Sequence, residues 1–223
     1  TILLRSSRMK VITLLALTGI FILSGCAETP DIEGAKLPIQ SSHSFDDATY
    51  EISVNEEEDK RPEMVVTETL IANFPLVEQN RGIKRSIPLK SYQLYPGLIE
   101  VLSITDESGK ARDFEQNTDG EFLHLAIKAI DNSYVFGKQT YVIKYKQDWV
   151  LSNWESGDRN KKPSEFYWDI NGTGWLQSFG RVSATVILDQ ALSQNVISES
   201  MRCYEGMFGS TGSCKVSQPS ENI

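Results

Sequence analysis

The chain of 223 residues carries 22 Lys and Arg against 30 Asp and Glu, a formal net charge of −8. Such a surface repels phosphate backbones, so nucleic acid is excluded as a partner class. Two histidines and three cysteines, with no Cys-x-x-Cys spacing, argue against a structural zinc site, and neither a metal nor another cofactor is expected.

Arg5, Arg8 and Lys10 precede an apolar run of 13 residues, Val11 to Leu23. That length fits the about 7–15 residues of a signal-peptide core and falls short of the ~20 a spanning helix needs. Leu23-Ser24-Gly25-Cys26 follows. It resembles the bacterial lipobox, in which small residues precede a cysteine that is acylated before the peptidase cuts in front of it. The resemblance implies a signal peptide over residues 1–25 and lipidation of Cys26; an uncleaved anchor helix is the rival reading. Met9 is a natural start for such a signal, which makes Thr1 to Arg8 upstream read-through. Several acyl chains hold far more firmly than one, so the expected location is extracytoplasmic and membrane-anchored, on the periplasmic face or the cell surface. Ala27 in place of Asp favours the outer membrane in a two-membrane bacterium. Removing residues 1–25 takes away three basic and no acidic residues, leaving a net charge of −11.

Residues 26–48 hold the cysteine and a stretch with Pro30, Gly34, Pro38 and several acids but little hydrophobic period. They read as a flexible linker. About 22 such residues span roughly 26 Å root-mean-square as a coil, which would float the folded part clear of the headgroups. His43 falls in this stretch and reads as an exposed linker residue.

From Thr49 the period becomes two, with Tyr50, Ile52 and Val54 alternating with polar neighbours as a half-buried strand requires. A charged turn over 56–62 leads to a strand over Met64–Phe74. Further strands are predicted at Gly82–Ile87, Ile99–Thr105, Phe122–Ile127, Tyr141–Lys146, Glu165–Ile170 and Val182–Leu188, punctuated by Gly, Asn, Asp and Pro. The pattern predicts an all-β fold over residues 49–215, an antiparallel β-sandwich, with a closed barrel as the alternative. Residues 216–223 form a polar tail, read as cut short. On Met64–Phe74, Glu68 shares its face with Val66, Leu70 and Ala72; on Gly82–Ile87, Arg85 shares its face with Ile83 and Ile87. An unpaired buried charge is expensive, so Glu68 and Arg85 are expected to meet as a buried ion pair, with Arg81 nearby.

With Cys26 lipidated, Cys203 and Cys214 remain. In an oxidising compartment they are expected to pair, closing a short loop worth about 3 kcal/mol on the chain-entropy model. Gly206 to Ser213 is misplaced relative to Lys215 for a phosphate loop and reads as the contents of that disulfide loop. Asp169-Ile-Asn171-Gly172 resembles a calcium loop only faintly; a tight turn explains it with less. His124, alternating with Phe122 and Ala126, reads as a partly exposed structural histidine, and no catalytic residues are assigned. Trp149, Trp154, Tyr167, Trp168 and Trp175 cluster in sequence around loops. Trp168 reads as core; Trp154 and Trp175 are the candidates for stacking on a sugar ring.

The motifs also occur in a telling order: Tyr50-x-Ile52, Thr67-Glu68-Thr69, Arg81-Gly82-Ile83-x-Arg85-x-Ile87-Pro88, Gly137-x-x-x-Tyr141-x-Ile143-x-Tyr145, Tyr167-Trp168-Asp169-Ile170-Asn171-Gly172 with Trp175, and Cys203-Tyr204-x-Gly206. Together they resemble the extracytoplasmic N-terminal domain of predicted bacterial membrane proteins known as domain of unknown function 2207, over about Thr49 to Cys214. The resemblance implies an exported β-rich domain of unassigned activity, in proteins that commonly continue into transmembrane segments.

The expected function is therefore a non-catalytic, lipid-anchored domain for interaction or cell-envelope recognition. Its partners would be the membrane, through the lipid, and an unknown protein or an envelope polysaccharide. Two alternatives stay open: a sensor or scaffold part of a larger transmembrane protein, and a carboxylate-based glycan-active enzyme, which needs two acids about 5–9.5 Å apart.

Overall fold

A computed structural model describes residues 2–4, 43–55, 62–91, 95–96, 98–148, 150–151, 165–172, 175–206 and 210–217. The strands in chain order are β1 (Ile2–Leu4), β2 (Ser44–Asn55), β3 (Glu63–Phe74), β4 (Gly82–Pro88), β5 (Lys90–Ser91), β6 (Tyr95–Pro96), β7 (Ile99–Thr105), β8 (Asp113–Thr118), β9 (Phe122–Lys128), β10 (Gly137–Asp148), β11 (Phe166–Trp168), β12 (Val182–Leu188), β13 (Met201–Glu205) and β14 (Gly212–Ser213). A single helical turn, α1 (Gln190–Ser193), starts where the Leu192 amide donates to the Asp189 side chain at 2.8 Å.

Side chains alternate across a pleated strand, and the core follows from that rule. On β3 every second residue from Met64 to Phe74 is buried; β2, β9 and β10 show the same alternation. A five-stranded sheet, in the order β12-β2-β3-β10-β7, and a three-stranded sheet, β4-β9-β8, contribute their inward faces to one apolar cluster. Tyr50, Ile52, Val66, Leu70 and Ile143 come from the first layer, and Ile83, Ile87, Leu125 and Ile127 from the second. The architecture is the predicted antiparallel β-sandwich. Its exception is β12, which lies parallel to β2 in the register Val182↔Ala48 to Leu188↔Val54. A separate small sheet, β11-β1-β13-β14, carries the Cys203–Cys214 disulfide.

Two expectations need correction, and one segment outside them is structured. The folded part begins before Thr49: β2 starts at Ser44, and His43 is buried, its ring 4.8 Å from that of Phe74 and 5.4 Å from Phe45. A bulge between Phe45 and Asp47 shifts the alternation by one residue, which hid this end of the strand. Residues 2–4, expected as read-through ahead of the signal peptide, form a strand antiparallel to both β11 and β13, a strand that cleavage in front of Cys26 would remove. Strand β8 was not anticipated, because five of its six residues are exposed and it has no apolar face to mark it.

Candidate functional site

Strands β3 and β4 lie in opposite layers, and each turns one charge inward. Arg85 grips Glu68 with two hydrogen bonds, Nε to Oε2 at 2.8 Å and Nη2 to Oε1 at 2.6 Å, with both side chains essentially inaccessible. The Tyr145 hydroxyl, from β10, donates to Glu68 Oε1 at 3.0 Å. Arg85 Nη1 donates to the carbonyl oxygens of Ser86 at 2.9 Å and Asn171 at 3.3 Å. Burial pulls the Arg85 guanidinium down, but the charge and hydrogen bonds of Glu68 outweigh it and hold the group above its ordinary value. Burial, reinforced by the charge of Glu68, drives Tyr145 and Tyr50 above the usual phenol range. Arg85 and the two phenols thus keep their protons.

The segment after β11 seats this network. Asp169 and Gly172 close a tight turn through the Gly172 amide, 3.1 Å from the Asp169 oxygen. Gly172 adopts φ +71°, and a Cβ there would stand 2.9 Å from Arg85 Nη1. Only glycine meets both demands. Trp175 Nε1 donates to the Asn171 oxygen at 2.6 Å, its ring meets Phe45 edge-on at 4.8 Å, and Arg85 lies 5.5 Å from its centroid. Trp175, expected as a sugar-stacking candidate, is thus half-buried, with its ring engaged by Phe45 and Phe179.

On the outer face of the three-stranded sheet, register brings Ser86 opposite His124. The Ser86 hydroxyl lies 2.9 Å from His124 Nδ1, and His124 Nε2 lies 2.9 Å from Asp119 Oδ2. Asp119 Oδ1 also accepts the amides of Glu121 and Phe122, tying the β8–β9 turn. The bond to His124 leads in holding this carboxyl far below the usual carboxylate range, and the two amides add to it. A serine–histidine–aspartate relay places the hydroxyl on Nε2 and the carboxylate on Nδ1; here the two ring nitrogens are exchanged. With His124 and Asp119 34% and 51% exposed, the row reads as the fastening of a turn.

Arg81, expected near Glu68, lies elsewhere: its Nη1 donates to the Asn132 oxygen and its guanidinium sits 4.1 Å from the Tyr134 ring centroid. Cys203 and Cys214 are disulfide-bonded, with Cα atoms 5.2 Å apart. Cys26 and Trp154 lie outside the described residues. Among the described residues no group of His, Cys, Asp and Glu is arranged to hold a metal ion, and no helix is long and apolar enough to cross a membrane. Sequence reasoning missed Tyr145, Asn171, Ser86 and Asp119 as partners. Inward phase on β10 marks Tyr145, whereas Ser86 and Asp119 meet His124 only through strand register and turn geometry.

The family model described as the predicted membrane protein (DUF2207) N-terminal domain matches residues 47–220. No curated protein matches the chain. Among solved structures, similarity extends to an M1 zinc metallopeptidase from Deinococcus radiodurans, at 10% identity and TM-score 0.32 over 50% of this chain and 22% of that one. Native yeast LTA4 hydrolase gives 13% identity and TM-score 0.32 over 47% and 14%. A two-domain M1 zinc metallopeptidase bound to L-arginine gives 13% identity and TM-score 0.37 over 67% and 33%. The chain spans a third or less of the length of each of these structures.

Proposed function

Since the chain belongs to the predicted membrane protein (DUF2207) N-terminal domain family, we propose that it is an extracytoplasmic recognition domain, lipid-anchored at Cys26 and without catalytic activity. The observation that carries the reading is the Cys203–Cys214 disulfide in an all-β domain, because disulfides of this kind persist in oxidising compartments outside the cytosol. The lipobox-like Leu23-Ser24-Gly25-Cys26 supplies the means of attachment. The groups best suited to chemistry support a binding role, since Glu68 and Arg85 are consumed by each other and His124 holds a turn. The partner is an envelope polysaccharide or an envelope protein, with Trp154 the candidate stacking residue.

The test is expression of the full chain in a bacterium with labelled palmitate. Label in the membrane fraction that disappears in Cys26→Ser is the expected result; unlabelled protein in the soluble fraction overturns the anchor. Retention on immobilised envelope polysaccharide that Trp154→Ala abolishes identifies a glycan ligand, and retention unchanged by that substitution removes Trp154 from the site. A second reading, sensor or scaffold part of a larger transmembrane protein, is favoured by the family description itself. Reading the genomic frame past Ile223 separates the two.

A further inference from the structure

Of nine large exposed apolar side chains among the described residues, five gather in one place, while Leu98, Leu102, Val182 and Val216 are scattered. Leu76 and Val77 lie between β3 and β4 and are 83% and 55% exposed; Ile130 and Phe136 lie between β9 and β10 at 62% and 39%; Leu176, before β12, is 94% exposed. Strand register puts all five at one end of the sandwich. Phe74 closes β3 opposite Gly137, which opens β10, and Gly82 opens β4 opposite Lys128, which closes β9. The two loops are fastened together there, the Val135 amide donating to the Asn80 oxygen at 2.8 Å and the Ala129 amide to the Arg81 oxygen at 3.3 Å. The segment bearing Leu176 joins the same end, since the Phe45 amide donates to the Ser178 oxygen at 3.0 Å and Ser44 pairs with Asn73.

Clustered exposed apolar groups of this kind mark a docking surface, whereas scattered ones need no explanation. What covers this one is indicated by where the chain comes from. The linker that starts at Cys26 joins the folded part at His43, and His43 packs on Phe74 at this same end. The opposite end carries the exposed turn Asp119-Gly120-Glu121 and one strongly exposed apolar side chain, Leu98. The end with the larger group of exposed apolar side chains is therefore the end at which the chain from Cys26 enters the described fold.

We infer that the end bearing Leu76, Val77, Ile130, Phe136 and Leu176 rests on the lipid bilayer, seating the sandwich upright on the membrane. This rests on the lipid-anchor reading and replaces the expectation that the domain floats free on its linker. Apolar side chains at loop tips sink into the boundary between headgroups and acyl chains, as an interfacial helix does with its apolar face. They turn a one-point tether into a contact that fixes orientation. The opposite end, with the Asp119-Gly120-Glu121 turn, then points away from the membrane and is the face available to a partner.

The test uses the full lipidated chain in vesicles of phosphatidylethanolamine and phosphatidylglycerol. An environment-sensitive fluorophore is placed at Leu176→Cys, at Leu76→Cys or at Glu121→Cys, and hydrogen exchange of the unlabelled chain provides a second readout in case an added cysteine disturbs the disulfide. Blue-shifted emission at positions 76 and 176, quenched by spin-labelled lipid and absent at 121, is the expected result, with slowed exchange over 75–81 and 129–136. Solvent-like emission at all three positions and unchanged exchange overturn the inference. So does shielding that arises only when an envelope protein is added, which would make this end a protein-docking surface. Flotation of the chain with the vesicles, lost in Cys26→Ser, reports on the anchor independently, so failure of the anchor and failure of the seating are read separately.

Discussion

Arg85 and Ser86 are neighbours on one strand, yet they belong to different media. Arg85 points between the sheets and joins Glu68, Tyr145 and Asn171 in a network closed to water. Ser86 points outward and joins His124 and Asp119 in a row that solvent reaches. Both are chains of acid, base and hydroxyl with bonds between 2.6 and 3.0 Å among those groups. Geometry alone does not rank them. Solvation does: water replaces any bond lost on the outer face, and nothing replaces one lost between the sheets.

The sharpest way to break this contrast is Glu68→Ala, which leaves the Arg85 charge buried without its partner. A loss of about 3–5 kcal/mol is expected, read from urea or thermal unfolding. The double variant Glu68→Met with Arg85→Met should recover part of that loss, because it removes the unpaired charge while leaving the buried Tyr145 hydroxyl without its acceptor. No recovery would show that the strand pairing, rather than the charge, was damaged. Gly172→Ala comes next. It forces a Cβ onto Arg85 Nη1 and a side chain into positive φ, and a loss of about 1–3 kcal/mol is expected. A near-neutral result would mean that the turn can move off the arginine.

Acid pH sharpens the comparison through His43. Burial lowers its pKa from the ordinary 6.5, so the unfolded state binds its proton first and stability must fall as pH drops below that value. The thermal midpoint of His43→Gln should lose less than the parent between pH 7.5 and 5.5. Equal slopes would show that protonated His43 is accommodated. The smallest effect belongs to the outer face. Asp119→Asn keeps acceptors for the turn amides and loses only the charge toward His124; the midpoint should barely move, and that small change should shrink further in high salt. A drop comparable to that of Glu68→Ala would erase the distinction between the two networks.

The inner network was largely legible in the sequence, for a physical reason. Period-two phase is a local property, and Glu68 among Val66, Leu70 and Ala72 can be read without knowing what lies opposite. The cystines were legible because few cysteines leave few pairings. The outer row was not, because Ser86, Asp119 and His124 meet through the register of β4 on β9 and the geometry of one turn, neither of which leaves a pattern in the chain. Trp175 reads as a candidate for sugar stacking, and its ring contact with Phe45 was not legible because it joins segments far apart in the chain. His43 was misread because the bulge between Phe45 and Asp47 disturbs the alternation that would have identified its strand. Strand β8 escaped because its hydrogen bonds to β9, rather than apolar side chains, make it a strand.

The parallel pairing of β12 with β2 has a consequence in time. β3 follows β2 within a few residues and can close on it as soon as both have been synthesised, but β12 reaches β2 across 134 residues, as between Thr49 and Ser183. A chain emerging N-terminus first therefore presents one side of β2 as an open edge until almost all of the domain has followed. Pairings of such sequence separation form slowly, and open edges template association between chains. The order of synthesis thus makes this strand the point at which a newly made copy is most exposed to aggregation, and the place where a holding chaperone would act.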